Sequence, residues 1–321
     1  MPKVSRRKIL IGAGAGVVGL AGLALLRYPP LLRRSTVPSD ARVRDLRARS
    51  DDPSLPELVI SQRDTDPAAL TENALGAIGG MSRFIAKGDV VVVKPNATWK
   101  RTPLQAANTN PAVVAVIVRE ALKAGAKRVV VTDHTGMDPA GKFQLSGIGK
   151  AASDAGAQVE IVGGAEAFQD VTLHGQVLDS WSMLKSVMAA DKVINVPVAK
   201  EHGMVIRFSA CLKNLFGIVG GDRVRLHWQL DGSIVDIAAF LRPTLHVVDA
   251  TRVLVRNGPQ GGNLDDVVQK NTVIASVDPV AADALASSLI GIPLPKITYL
   301  ALAESRGLGR LDWEKLRVSR V

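Results

Sequence analysis

The sequence predicts an α/β fold in which a mostly parallel sheet carries helices on both faces, in a Rossmann-like layering. Runs of valine and isoleucine, such as the four valines from 90 to 93, are continuous rather than alternating, as is typical of strands buried on both faces. These runs alternate with helix patterns that begin at capping residues. The chain has 321 residues, 47% hydrophobic and 22% charged, which is enough for a sizeable core.

The first half of the body alternates strands and helices. We predict strands at ELVISQ, DVVVVKPNATW, RVVVTDHTG and QVEIVGG. We predict helices at DPAALTENALGAIGGM, NPAVVAVIVREALKAGAK and KFQLSGIGKAASDAG. Asp66 and Asn110 stand at the N-cap positions of the first two helices, and Pro111 follows at the first helical position.

The second half repeats the pattern. We predict helices at SWSMLKSVMAA, RFSACLKNLFGIVGG, DPVAADALASSLIG and KITYLALAESRGLG, and strands at DKVINVPVAK, TLHVVDATRVLV and TVIASVD. Asp278 is the predicted N-cap of the third of these helices, with Pro279 after it. Since no linker interrupts residues 57–321, we treat them as one domain, and a subdomain inserted near 200–245 stays open as an alternative.

Residues 1–26 have the layout of an export signal, and 27–56 read as a linker rich in proline and arginine. SRRKIL resembles a twin-arginine signal, with Arg6 and Arg7 as the pair. The uncharged run from 9 to 26 would span about 27 Å as a helix, close to the thickness of a bilayer core. We therefore expect the twin-arginine export machinery as a partner, a periplasmic or other extracytoplasmic location, and membrane anchoring. Whether the signal is cleaved stays open.

The charge distribution argues against nucleic acid as a partner. The net charge is +10, but residues 1–50 hold eleven of the 40 Lys and Arg residues and two of the 30 acidic ones, so nearly all the excess lies in the leader and linker. A nucleic-acid-binding domain carries its basic stripe within the fold. The aromatic content of 4% also disfavours base stacking. A single cysteine, Cys211, allows neither an intramolecular disulfide nor a cluster held by cysteines of this chain.

Polar side chains follow five of the predicted strands. They are Lys94 and Asn96, Asp133 and His134, Lys200 with Glu201 and His202, Asp249 with Thr251, and Asp278. In parallel α/β sheets, ligands bind beyond the carboxyl ends of the strands. We therefore expect these groups to share one cleft, against the alternative that each is an ordinary polar loop end.

The residue types indicate an anionic ligand. Lysines supply positive charge and asparagines supply neutral donors, which suits a phosphate or a carboxylate. His202 is the candidate acid–base group, because the pKa of histidine lies nearest neutrality, and Lys213 is the second candidate catalytic residue. The candidate ligand-binding residues are Lys94, Asn96, Lys200, Asn214, Asn257 and Asp278.

A metal ion is an open alternative, with ligands drawn from separate loops. His134, His202, Asp249 and Asp278 are the candidates, as mixed nitrogen and oxygen ligands. The sequence names neither the metal nor any cofactor. It contains no G-x-S-x-G or H-E-x-x-H motif, so it does not indicate a serine hydrolase or a zinc protease.

Several motifs in their order resemble the bacterial and archaeal family known as domain of unknown function 362. They are VVVVKPNATW, VINVPVAKEH, LKNLFGIVGG, NGPQGG and ASVDPVAADALAS. The resemblance carries the family pattern over to Lys94, Pro95, Asn96, Lys200, His202, Lys213, Asn214, Gly217, Asn257, Gly258, Pro259, Asp278, Pro279 and Asp283. Many members are fused to ferredoxin-like modules, which the single cysteine of this chain cannot build. The resemblance implies a site but names no reaction.

The sequence thus predicts an exported or membrane-anchored α/β protein. It would bind an anionic small molecule or cofactor, with or without a metal, in a cleft at the strand ends. A non-catalytic envelope binding protein and an accessory subunit of a redox system are the alternatives. Whether the protein is an enzyme stays open.

Overall fold

The computed structural model describes residues 43–47 and 52–321. Fourteen strands are found in this part of the chain. They are β1 (Arg44–Asp45), β2 (Leu58–Ser61), β3 (Val90–Pro95), β4 (Arg128–Thr132), β5 (Gln158–Glu160), β6 (Phe168–Thr172), β7 (Ser180–Leu184), β8 (Lys192–Val196), β9 (Val198–His202), β10 (Arg207–Ser209), β11 (Leu241–Arg242), β12 (Leu245–Leu254), β13 (Val267–Ser276) and β14 (Val318–Arg320).

Ten α-helices lie between these strands in the described residues. They are α1 (Pro67–Ala77), α2 (Pro111–Lys123), α3 (Pro139–Leu145), α4 (Ile148–Asp154), α5 (Lys185–Ala189), α6 (Gly203–Ile206), α7 (Cys211–Asn214), α8 (Leu230–Phe240), α9 (Pro279–Leu289) and α10 (Thr298–Ser305).

The main sheet is mostly parallel, which confirms the predicted fold class. Its strand order is β14-β2-β13-β12-β8-β3-β4-β5, and β9 pairs with both β12 and β10. Along the main path, β13 alone runs antiparallel to its neighbours β2 and β12, and the other adjacent pairs are parallel. The carboxyl ends of β3, β4, β8 and β12 therefore point to one edge of the sheet, whereas β13 ends at the opposite edge.

Helices cover both faces of the sheet, because alternate residues of each buried strand point to opposite sides. Val91 and Val93 join a core with α1, α2 and α4, whereas Val92 joins the second core with α8, α9 and α10. All three valines are fully buried. The continuous apolar runs in the sequence therefore predicted the burial of these strands correctly.

The predicted helix starts are confirmed where an acidic or amide side chain caps them. Asp66 accepts hydrogen bonds from two backbone N–H groups of α1, and Asn110 accepts one from α2. Asp278 accepts two from backbone N–H groups of α9. A proline occupies the first turn of each helix, as its missing N–H allows.

Four predicted helices differ in detail. Residues 180–190 divide into β7, which pairs with β6, and the short helix α5, although SWSMLKSVMAA was predicted to be one helix. The helix predicted at KFQLSGIGKAASDAG divides into α3 and α4, because Gly147 has a φ of 73°. The segment from 207 to 218 forms β10, α7 and a 3₁₀ turn at Leu215–Ile218 rather than one helix. The helix predicted at KITYLALAESRGLG is confined to α10.

The predicted signal and anchor at 1–26 lie outside the described residues. Searching the described part alone finds no helix of sufficient length and hydrophobicity to traverse a bilayer. Within the predicted linker at 27–56, β1 pairs in parallel with β11, a contact that the sequence did not indicate. The domain boundary at 57 and the subdomain at 200–245 stay predictions. Phe208 and Phe240, which lie in the segment 200–245, belong to the same core cluster as Leu58.

Candidate functional site

A cleft of about 370 Å³ opens at the sheet edge where the parallel strands end. The turns after β3, the end of β9, and the segment that runs from β10 through α7 form its walls. Its lining residues are Asn96, Thr98, Trp99, Lys200, His202, Ser209, Lys213, Asn214, Phe216, Gly217, Arg223, Val224, His227 and Pro259. The structure thus brings together five of the predicted site residues: Asn96, Lys200, His202, Lys213 and Asn214.

The charge of the cleft is one-sided. Lys200, Lys213 and Arg223 line it, and no carboxylate of the described residues stands among its lining. Cationic side chains that crowd together in a partly enclosed space repel one another, because the low dielectric of the walls weakens screening. An anion in the cleft would relieve that repulsion.

A buried ion pair lies beneath the cleft and includes Lys94. The Nζ atom of Lys94 is 2.7 Å from Asp133 Oδ1, and it also donates to Asn214 Oδ1 at 3.0 Å and to Pro95 O at 2.7 Å. An ammonium group has three donors, so these contacts use all of them. Lys94, predicted to bind ligand directly, instead lies below the lining with no free donor.

An amide network fixes the lysines from below. Asn96 Oδ1 accepts from Lys200 Nζ at 3.0 Å, while Asn96 Nδ2 donates to Asn214 Oδ1 at 3.0 Å. Asn214 Nδ2 donates to Asn195 Oδ1 at 2.8 Å and to Lys94 O at 3.2 Å. Because these bonds occupy the side-chain amides of both predicted asparagines, we expect Asn96 and Asn214 to orient the lysines rather than hold the ligand.

Lys213 differs from the other two lysines in its contacts. Its Nζ atom lies 3.7 Å from the centroid of the Phe216 ring, a distance typical of a cation–π contact. Among the described residues, this ammonium group has neither a hydrogen bond nor an ion pair. Its donors are therefore available to a ligand in the cleft.

Arg223 is the third cation of the cleft, and its position depends on His134. Arg223 Nη1 donates to His134 O at 2.8 Å. The His134 ring does not line the cleft; its Nδ1 lies 2.6 Å from Val219 O, and since a carbonyl only accepts, Nδ1 carries the proton. His134, a predicted metal candidate, thus holds the loop that carries Arg223.

Burial and crowding shift the pKa of the two cleft lysines. Burial, followed by repulsion from Arg223, Lys200 and Lys94, lowers the pKa of Lys213 to about 7, although the attraction of Asp133 opposes the shift. Burial likewise lowers the pKa of Lys200 to about 7, against the attraction of Asp133 and with the repulsion of Lys94. Both amines therefore change charge near neutral pH.

The predicted acid–base role of His202 rested on a pKa near neutrality, and the structure corrects that premise. Burial lowers the pKa of His202 to about 3, and the positive charges of Lys213 and Lys200 add to the shift. The imidazole is therefore neutral at physiological pH. Lys200 and Lys213, by contrast, each have a pKa of about 7.

Two close approaches fix the segment that carries Lys213. Asp283 of α9 accepts hydrogen bonds from Cys211 N at 2.5 Å and Leu212 N at 3.1 Å, which satisfies the first N–H groups of α7. Gly217 packs directly on the buried ion pair, because a Cβ there would lie 1.8 Å from Asp133 Oδ1. These contacts account for the Asp283 and Gly217 that the family resemblance indicated.

The other predicted site residues lie elsewhere. Asp278 follows the antiparallel strand β13, so it lies at the opposite edge of the sheet, where it caps α9 and accepts from Arg310 N at 3.0 Å. Asp249 lies within β12 and accepts from Asn110 N at 2.7 Å, so it holds the start of α2. Asn257 donates to Asp266 Oδ2 at 2.7 Å and does not line the cleft, although Pro259 of the same loop does.

The four candidate metal ligands do not meet. In the part of the chain that the structure describes, no three His, Cys, Asp or Glu side chains lie close enough to hold one metal ion. His202 alone of the four candidates lines the cleft. The four do not converge because Asp278 lies at the opposite edge, Asp249 lies within β12, and the His134 ring is bonded to Val219 O.

Sequence reasoning missed part of the lining. Arg223 and His227 come from the segment after Gly221, an irregular turn followed by a 3₁₀ helix at Arg225–Gln229, and its sequence has no strand or helix pattern that indicates a direction. Trp99 and Thr98 follow β3 by a few residues, and a search extended beyond Asn96 would have found them. Phe216 looked like an ordinary apolar residue of a helix, so its role as the surface beneath Lys213 Nζ had no signal in the sequence.

Comparison with known proteins identifies the family. The thylakoid-associated protein sll1697 of Synechocystis sp. (strain ATCC 27184 / PCC 6803 / Kazusa) is 28% identical over 244 residues, which cover 73% of this chain and 73% of that protein. The solved lactate racemase apoprotein from Thermoanaerobacterium thermosaccharolyticum matches with a TM-score of 0.41 and 15% identity, over 74% of this chain. The match covers 60% of that structure, less than two thirds of its length. Residues 91–288 match the family model described as "Domain of unknown function (DUF362)", and the chain therefore belongs to that family.

Proposed function

We propose that this protein binds an anionic small molecule in the cleft at the carboxyl ends of its parallel strands. The observation that carries the proposal is uncompensated positive charge: Lys200, Lys213 and Arg223 line the cleft without a carboxylate beside them. The nearby buried carboxylate, Asp133, is already paired with Lys94. A bound anion would supply the missing counter-charge.

The donors indicate a carboxylate, a sulfate-like group or a phosphate. Arg223 uses Nη1 on a backbone carbonyl, and its planar fork suits two oxygens of one anion. Lys213 brings a free ammonium group, and Lys200 keeps one donor beyond its bonds to Asn96 Oδ1 and Ala107 O. Trp99, Phe216 and Pro259 add apolar surface to the walls, which favours a ligand with an apolar part beside its charge.

Thermal unfolding with sulfate tests the proposal, because sulfate does not titrate between pH 5 and 10. We expect sulfate to raise the Tm of the wild-type protein above its value in chloride of equal ionic strength. The rise should shrink in Lys213→Met and in Arg223→Met. Lys127→Met, an exposed site on another part of the body, is the matched control and should keep the full rise.

An equal rise of the Tm in all four proteins would overturn the proposal, since sulfate would then act without the cleft. Unfolding of the variants is not expected to obscure the result. Lys213 is held in the folded protein with a lowered pKa, so folding disfavours its charged form, and replacement by an uncharged side chain removes that cost.

A catalytic function is the second candidate, and one observation favours it over binding alone. Two amines with a pKa of about 7 share the cleft, and such groups exchange protons readily at neutral pH. His202→Gln separates binding alone from catalysis. Sulfate binding should survive the change under both functions, whereas turnover of a substrate should fall if the His202 imidazole exchanges hydrogen bonds or protons with that substrate.

We also propose export by the twin-arginine route and attachment to the membrane through the uncharged segment 9–26. Both features lie outside the described residues and rest on the sequence. Replacing Arg6 and Arg7 by lysine in the full chain should leave the protein in the cytoplasm, as measured by cell fractionation. Replacing the pair Arg33 and Arg34 in the same way is the matched control and should not impair export. Export that survives the first replacement would contradict the proposal.

A further inference from the structure

The three lysines near the cleft differ in how many of their donors the protein uses. Lys94 makes three polar contacts and Lys200 makes two. Within the described chain, the contact found for Lys213 Nζ is the face of the Phe216 ring. The amine of Lys213 is therefore the one least restrained by polar partners, and it lines the cleft.

We infer that Lys213 is a nucleophile that forms an imine with small anionic carbonyl compounds, meaning aldehydes or ketones that carry a carboxylate or phosphate. The inference rests on the proposed anion binding and specifies its ligand class. The anionic group would lie against Arg223 and Lys200. Both residues line the same cleft as Lys213, so an anion bound to them shares that cleft with the amine.

The surroundings keep the amine reactive. A lysine attacks a carbonyl only in its neutral form, and burial among other cations is a recognised way to populate that form. With a pKa of about 7, roughly half of the Lys213 amines are neutral at pH 7, against well under 1% for an ordinary lysine. Lys200 has a similar pKa, but its amine is held by Asn96 Oδ1 and Ala107 O.

The step conserves electrons and needs no further reactant. The lone pair of neutral Nζ attacks the carbonyl carbon, and a proton passes from nitrogen to the new alkoxide to give a carbinolamine. The C–O bond then breaks as a C=N bond forms, and the hydroxyl leaves with a proton as water. His202, which is neutral and lines the same cleft, is the group that would exchange the protons.

Reductive trapping tests the inference in the intact protein. Glyoxylate, an anionic aldehyde, and acetaldehyde, a neutral one, are each added with cyanoborohydride at pH 7, and the modified lysines are mapped by peptide mass spectrometry. We expect glyoxylate to label Lys213 on the order of ten- to a hundredfold faster than exposed lysines such as Lys87 and Lys127, since more of its amine is neutral and the carboxylate is held nearby. Acetaldehyde should show a smaller preference, and excess sulfate should suppress the glyoxylate labelling.

Two variants separate the inference from the anion binding on which it rests. Lys213→Arg keeps a cation at this position but lacks a nucleophilic amine, so it should lose the rapid labelling. Arg223→Met should keep the amine but lose the preference for glyoxylate over acetaldehyde. If glyoxylate labels Lys213 no faster than Lys87 while sulfate still stabilises the wild type, the imine is wrong and anion binding stands. If sulfate has no effect either, both fail.

Discussion

At the scale of single residues, the cleft depends on an ion pair that is inaccessible to solvent. Lys94 and Asp133 are both fully buried, and removing one partner of such a pair leaves a charge that nothing compensates. We expect Lys94→Met to lower the free energy of unfolding by about 3–5 kcal/mol, as measured by urea denaturation. The variant should also lose sulfate binding, because Asn214 loses the ammonium group that it accepts from.

The double variant Lys94→Met with Asp133→Asn is the control for this prediction. Removing both charges should restore part of the lost stability, since no unpaired carboxylate is left. Ala97 N, which donates to Asp133 Oδ2 at 2.8 Å, keeps an acceptor in the asparagine. A double variant that is less stable than Lys94→Met alone would show that the pair does not act as a unit.

Position 217 requires glycine because no room is left for a side chain, and not because of its backbone conformation. A Cβ there would overlap Asp133 Oδ1 and approach Lys94 Nζ to 2.6 Å, and neither atom can move without breaking the buried pair. We expect Gly217→Ala to cost about 1–3 kcal/mol or more of unfolding free energy. Gly76→Ala is the matched control: nothing lies within 4 Å of its Cβ, it lies inside α1, and it should be neutral or stabilising by up to about 1 kcal/mol. Equal effects at both sites would refute the packing argument.

The sequence could identify the residues that follow strands but not the contacts they make. Lys200 and His202 were predicted and line the cleft, because polar groups after buried strands are visible in a single sequence. Lys213, which also lines it, was predicted from its charge within a helix pattern. The shift in the pKa of His202 was not visible, since it depends mainly on burial and then on the charge of Lys213, which belongs to another predicted element, and of Lys200. Arg223 belongs to an irregular segment, where no periodicity tells which way a side chain points.

At the scale of elements, the position of α7 depends on a carboxylate of α9. Asp283 is fully buried and caps the two N–H groups at the start of α7. We expect Asp283→Ala to lower the free energy of unfolding by about 2–4 kcal/mol, because two buried donors lose their acceptor. Since α7 carries Lys213, sulfate binding should weaken as well. Ser288→Ala on the same helix, which removes a bond to Leu285 O only, should have a small effect and is the control.

The titration of Asp283 gives this element a pH dependence with a defined sign. Burial raises the pKa of Asp283 from 3.8 to about 7, although its bonds to the backbone of α7 oppose the shift. A carboxyl group whose pKa is raised by folding binds its proton more tightly in the folded state, so its contribution to stability falls as the pH rises from about 4 to 7. Over this range, wild-type stability should fall relative to that of Asp283→Asn, by no more than about 4 kcal/mol. A difference between the two proteins that is constant with pH would contradict the assignment.

The sequence could not predict whether a strand pairs parallel or antiparallel to its neighbours. TVIASVD was predicted as a strand and forms the end of β13, yet its apolar pattern is the same whether it pairs parallel or antiparallel. Its antiparallel pairing with β12 moves Asp278 away from the cleft. Similarly, the alternating polar and apolar residues of SWSML are compatible with the start of a helix or with a strand. The segment forms a strand because it pairs with β6.

At the scale of the whole molecule, the formal charge conceals where the functional charge lies. Most of the net +10 belongs to residues 1–50. The rest of the chain is nearly neutral overall, yet three of its cations, Lys200, Lys213 and Arg223, line one cleft where the parallel strands end. The fold thus creates a local positive field without a basic composition, because the topology brings residues from β9, α7 and the loop after Gly221 to one edge.

That field predicts that anion binding is coupled to proton uptake. In the empty cleft at pH 8, Lys200 and Lys213 are mostly neutral because their pKa is about 7, whereas a bound anion favours their charged forms. Sulfate affinity should therefore fall as the pH rises above 7, by up to about tenfold per unit for each proton taken up. Calorimetric titration with sulfate at pH 8 in Tris and in HEPES, whose ionisation enthalpies differ, measures the uptake directly. The other charged or titratable groups around the two amines are Lys94, Asp133, His202, Arg223 and His227; His202 is neutral throughout this range. Lys213→Met should reduce the number of protons taken up by as much as one, and the control Lys127→Met should leave that number unchanged. If the wild type shows the same heat of sulfate binding in both buffers, the amines do not take up protons with the anion, and the electrostatic account of the cleft is wrong.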